Sequence, residues 1–239
     1  MLLVMTNENI YAAPEAPLTD SSTAILSPTF KESRSLSQLV VNLVKANGAL
    51  HILGAILSLL YLIQQKAFNT NISPLIDGAY AVWGICYVIL FIVTVVFFSK
   101  WIHRSYTNAK QFQTYPMRHS AGWSVGSFFI PIIMLFHPYQ AMKDIWIASC
   151  GPKESRLDHS LVRQWWAWWI ISSFADQISN KASDTTSVEG LYTAQSLAIA
   201  SYIISIILCY MAIKLVRTIT EMQYTYVEQI NTPSHDEAK

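Results

Sequence analysis

Apolar residues gather into stretches at 46–64, 75–98, 122–136, 162–178 and 191–213, and polar residues separate them. A helix that crosses a bilayer needs about 20 mostly apolar residues. The stretch 75–98 meets this best, with no charge after Asp77 and a stop at Ser99-Lys100-Trp101. The stretch 46–64 also qualifies and is led in by an amphipathic segment, 37–45. The stretch 191–213 carries no charge until Lys214. The stretch 162–178 is weaker: Arg163 and Asp176 crowd its ends, and it opens on Trp165, Trp166, Trp168 and Trp169. The stretch 122–136 is short and holds Pro131, with Pro138 just beyond.

Basic residues decide how these stretches are threaded, because cytoplasmic loops collect Lys and Arg. Lys31, Arg34 and Lys45 precede the first stretch. Lys100, Arg104, Lys110 and Arg118 follow the second without any acid. Lys143, Lys153, Arg156 and Arg163 lie in 138–163, leading into the start of the fourth, and Lys214 and Arg217 follow the fifth. The two remaining loops hold only Lys66 and Lys181. All four basic segments share one side only if 122–136 does not cross. The expected fold is therefore an all-α integral membrane protein of four transmembrane helices, with a proline-broken re-entrant or interfacial segment. Five transmembrane helices are the alternative. Both termini then face the cytoplasm of the inner (plasma) membrane.

Composition agrees with a lipid environment. Hydrophobic residues make up 52% of the 239 positions and charged residues 13%, half the ~25% of an ordinary soluble domain. Residues 1–36, with Pro14, Pro17 and Pro28 among Ser and Thr, read as a disordered cytoplasmic tail. Residues 37–217 form the helical membrane domain, and 218–239 a polar cytoplasmic helix and tail. A net charge of +1 gives no bulk attraction to nucleic acid. Cys86, Cys150 and Cys209 have neither the spacing of a zinc site nor that of a disulfide framework.

One run is more specific than hydropathy. It reads Trp101-x-x-Arg104-x-x-x-Asn108, then Gly122-Trp123-x-x-Gly126, Ile130-Pro131, Pro138-Tyr139 and Asp144-Ile145-Trp146. Over roughly residues 37–230 the chain resembles the bacterial membrane family called domain of unknown function 4328. That family shows W-x-x-R-x-x-x-N, a Gly-Trp-rich run into a proline-broken apolar stretch, and P-[YR]-x-x-x-E-[IL]-W. The chain departs from it at Met134, His137 and Asp144, where the family often has Asn, Arg and Glu. The resemblance implies a motif face of Trp101, Arg104, Asn108, Trp123, Pro131, Pro138, Asp144 and Trp146, structural or ligand-binding. It implies no activity.

Each constellation also has a plain structural reading. Trp101, Arg104 and Asn108 share a helix face at i, i+3 and i+7, which suits either an interfacial anchor or packing against the proline-broken element. Asp144 needs a partner near lipid, and Arg104 is the expected one. His51 and His137 at matching depth are a remote candidate for holding a haem; ordinary polar packing explains them more simply. Asp77 and Asp176 fall at outer span ends, where a carboxylate reaches water. No nucleophile or metalloprotease motif occurs. These observations favour a non-enzymatic structural or regulatory membrane module, with the lipid bilayer and other membrane or cytoplasmic proteins as partners. A small transporter or channel is the second reading, and a haem-binding redox protein the third.

Overall fold

The architecture is that of a computed structural model, which describes residues 30–68, 74–151, 158–184 and 187–231. It is all-helical: α1 (Arg34–Phe68), α2 (Pro74–Gln111), α3 (Ala121–Gly126), α4 (His137–Ser149), α5 (Ser160–Ala182) and α6 (Val188–Asn231). Most of the expected N-terminal tail, and residues 232–239 of the C-terminal one, lie outside the described residues. Three helices, α1, α2 and α6, are long and apolar enough to cross a membrane.

Helix length explains the overall plan. At 1.5 Å per residue, the 38 residues of α2 and 44 of α6 extend about 57 and 66 Å, roughly twice a ~30 Å hydrocarbon core. Each therefore has an apolar half and a half that projects beyond it. α1 pairs antiparallel with α2, since Asn47 meets Thr94 and Ser58 meets Tyr80. It also pairs antiparallel with α6, where Gly48 faces Cys209 and Ser33 faces Tyr224. α5 lies antiparallel to α6 through Ser172–Ser205 and Asp176–Ser201. The start of α1, the end of α2, the start of α5 and the end of α6 thus meet at one end of the bundle.

That end, here called the head, holds the main core. Val40, Val41, Trp101, Ile102, Tyr106, Ala141, Met142, Ile145, Val162, Leu215, Val216 and Ile219 are almost wholly buried there. The other halves of α1 and α2 instead leave Ile52, Ile63, Val82, Ile85 and Ile92 at least half exposed.

Residues 112–150 leave and rejoin the head, with Thr114 donating to the Ala148 carbonyl. Within them, α3 starts at Ser120, whose hydroxyl accepts from the Trp123 N–H and so supplies one donor of the first turn with a partner. The helix cannot pass Pro131. Proline pushes its predecessor into extended backbone, and Ile130 sits at φ −103°, ψ 118°. Ile132 follows at φ 68°, an uncommon conformation for a β-branched residue. Short 3-10 turns at Ser127–Phe129 and Ile133–Leu135 fill the gap. α4 then begins with Pro138 in its first turn, where the missing N–H costs nothing.

Candidate functional site

The motif on α2 faces three different segments. Trp101 is fully buried and its indole N–H donates to Thr220 of α6, 3.3 Å away. Thr220 in turn donates to Ser37 of α1. Arg104 turns the other way and donates to the Glu32 carbonyl at 2.7 Å. Asn108, also fully buried, grips the Lys31 backbone from both sides: it accepts from the N–H at 3.1 Å and donates to the carbonyl at 2.9 Å. Tyr224 of α6 completes this clamp by accepting from the Ser33 N–H. Arg104 and Asn108 therefore hold the strap, residues 31–33, that leads into α1. They do not hold the proline-broken element.

Asp144 corrects the expected pairing. Its carboxylate is fully buried, but its partner is Arg118, with contacts of 2.7, 3.1 and 3.1 Å. Arg104 is occupied at the strap. The fork of Arg118 matches the carboxylate in a bidentate manner, and the Asp144 hydrogen bond strengthens the guanidinium's hold on its proton. The loop carrying Arg118 is fixed by Tyr106, whose hydroxyl donates to the His119 carbonyl and accepts from its N–H. Burial pushes that hydroxyl up, so it stays protonated and keeps both roles.

His119 lies against His137 with ring centroids 4.4 Å apart and the planes tilted by 50°, and Trp123 meets His137 edge-on at 5.8 Å. Burial, then the facing His137, push the His119 imidazole down, while Asp144 pulls it up. The buried His119 Nε2 and His137 Nδ1 find no hydrogen-bond partner among the described residues. Pro138 and Trp146 are buried in α4, whereas Pro131 is exposed. The eight motif-face residues thus do not form one site: three serve the strap and α6, three line the Arg118–His137 loop or α4, and Pro131 and Trp123 lie at the surface or near it.

A second polar cluster joins the four long helices in the apolar half. His51 of α1 is 8% exposed, its ring 5.4 Å from Tyr87 of α2 and 6.0 Å from Tyr202 of α6. Asp176 of α5 accepts from Ser201 of α6. α5 continues past Asp176 to Ala182. Further along, Tyr80 shares a hydrogen bond with Ser58 at 2.8 Å and donates to Gln195 at 3.1 Å. His51 and His137 lie in different halves of the molecule and do not face each other. No group of three or more His, Cys, Asp or Glu suited to a metal occurs among the described residues.

Sequence reasoning missed Arg118, the Tyr106–His119 bracket and the strap. Arg118 counted only as loop charge, although the need of Asp144 for a partner was a usable signal.

Long apolar helices around a separately packed head define a helical, multi-pass membrane protein. The chain belongs to the family described as Domain of unknown function (DUF4328), whose model matches residues 64–221, a shorter reach than the motifs suggested. No curated protein and no solved structure matches the chain.

Proposed function

We propose that the protein is a four-span inner-membrane module, non-enzymatic, whose head forms a rigid cytoplasmic platform for a structural or regulatory role. The observation that carries this reading is the use of the motif. Trp101, Asn108 and Asp144 are fully buried and bonded to other parts of the chain. Side chains spent on clamping the head are not available to a substrate.

The fourth span is α5. It turns Ser172, Asp176 and Ser179 toward its neighbours and leaves Ile171, Phe174 and Ile178 exposed. Small and polar residues inside with apolar ones outside is the pattern of helices packed in lipid. Its 23 residues extend about 34 Å, enough for a ~30 Å core, and they lie beside the apolar run of α6. The segment 122–136 sits in the interface and places Phe129, Ile132 and Phe136, each exposed, at the headgroup boundary. With four crossings, the basic head faces the cytoplasm and both termini lie there.

The test is purification of the full chain from native membranes, with partner proteins identified and the visible spectrum read on the same sample. The platform reading predicts a stoichiometric protein partner that is lost when exposed head residues such as His103 and Lys110 are substituted. A haem absorption band, or solute flux through reconstituted liposomes without a partner, would overturn it.

A further inference from the structure

A buried ring nitrogen without a hydrogen bond is costly, and its lone pair is free to bind a metal. The head holds two such nitrogens on neighbouring rings. His119 and His137 lie with ring centroids 4.4 Å apart and planes tilted by 50°. The buried His119 Nε2 and His137 Nδ1 bond neither to each other nor to any other described residue. Both rings stand on fixed backbone, as a binding site requires. Tyr106 accepts from the His119 N–H and donates to the His119 carbonyl. His137 opens α4 and is followed by the buried Pro138. His119 directly precedes Ser120, the cap of α3. The two rings thus stand at the two ends of the proline-broken segment.

We propose that His119 Nε2 and His137 Nδ1 form a two-imidazole site for a transition-metal ion of the zinc type, which fastens together the two ends of the segment 120–136. Imidazole nitrogen suits zinc, copper and nickel, whereas magnesium and calcium take oxygen ligands. Zn–N bonds of about 2.0–2.1 Å put the centroids of a tetrahedral imidazole pair about 5.2 Å apart. The rings stand at 4.4 Å, so they part by less than ~1 Å to admit the ion. Each ring binds through a lone pair and carries its proton on the other nitrogen, so no proton is released. Burial, then the facing His137, keep the His119 imidazole below its usual value, which favours the neutral form that ligates. Asp144 is no ligand, because Arg118 takes both its oxygens. The remaining positions on the ion fall to water, as in other open zinc sites. The site does not depend on how many helices cross the membrane.

Calorimetric titration of the chelator-stripped, full-length protein in lipid nanodiscs with Zn2+ tests the site. One Zn2+ per chain should bind, and Mg2+ should give no response. His119→Gln and His137→Gln should each weaken binding by at least about tenfold, the loss that removal of even an outer partner of a metal ligand brings. His103→Gln, on the exposed face of α2, should leave the affinity unchanged. Zn2+ should also raise the unfolding temperature of the parent and not that of the two site variants. X-ray absorption at the zinc edge of the loaded, unmodified protein should show two imidazoles on the ion, which decides the matter even where a variant fails to fold. No binding of Zn2+, a zinc shell without two imidazoles, or parental affinity in His119→Gln or His137→Gln overturns the site.

Discussion

On the head side of Lys100 and Lys214, α2 and α6 bury Trp101, Ile102, Tyr106, Leu215, Val216 and Ile219 almost completely. On the other side the same two helices leave Ile85, Val88, Ile92 and Ile203 more than half exposed. The chemistry of the side chains is similar, and the difference is the solvent they meet. Water drives apolar groups together in the head. Lipid is as apolar as leucine and supplies no such drive, so close approach and polar contacts hold the spans. Gly54 shows the close approach: a Cβ there would stand 2.8 Å from the Trp83 ring and 3.0 Å from that of Tyr202. Asn47–Thr94 and Ser172–Ser205 show the polar contacts.

Trp101→Ala should break the head most severely. Removing a fully buried Trp costs about 3–5 kcal/mol, and the loss should appear in thermal unfolding of the head followed by tryptophan fluorescence. If the variant unfolds like the parent, the head is not the stabilising core.

The Arg118–Asp144 pair comes next. Arg118→Ala strands a fully buried carboxylate, while Arg118 itself is 44% exposed, so water offsets part of the cost and about 2 kcal/mol is expected. A double-mutant cycle should find the doubly substituted protein less destabilised than the sum of the two singles. The same cycle run on Arg104 and Asp144 should be additive. Coupling there, without coupling at Arg118, would reverse the assignment.

In the spans, Gly54→Ala should cost about 1–2 kcal/mol by forcing Trp83 and Tyr202 apart, read as a lower unfolding temperature in detergent. Ile92→Ala, on the exposed side of α2, should change stability by under ~0.5 kcal/mol. Equal effects at the two positions would remove the contrast between packed and lipid-facing surfaces.

The smallest effect concerns pH. The folded head holds the His119 imidazole below its ordinary value, chiefly by burial and then by the facing His137. The unfolded chain therefore binds more protons, and stability falls as pH drops below about 6.5. His119→Gln should flatten that fall in unfolding temperature measured across a pH series, and an unchanged slope would assign the titration elsewhere.

Much of the helix plan was legible from hydropathy, because α1, α2 and α6 carry uninterrupted apolar runs. α5 was harder to read, since it turns Ser172, Asp176 and Ser179 inward and so dilutes its own apolar signal. The break at Pro131 followed from proline chemistry alone. Tertiary pairings were not legible. Arg104 reaches the Glu32 carbonyl, 72 residues away in the chain, and helical periodicity shows only which face it occupies. Arg118 meets Asp144 only because Tyr106 folds its loop back, and nothing in the spacing of those residues encodes that return.

Fusing a periplasm-active and a cytoplasm-active reporter in turn at Thr114, Asp184 and the C-terminus of the full chain tests the central claim most directly. The four-span account predicts cytoplasmic activity at Thr114 and at the C-terminus, and periplasmic activity at Asp184. Periplasmic activity at the C-terminus, or cytoplasmic activity at Asp184, would contradict it.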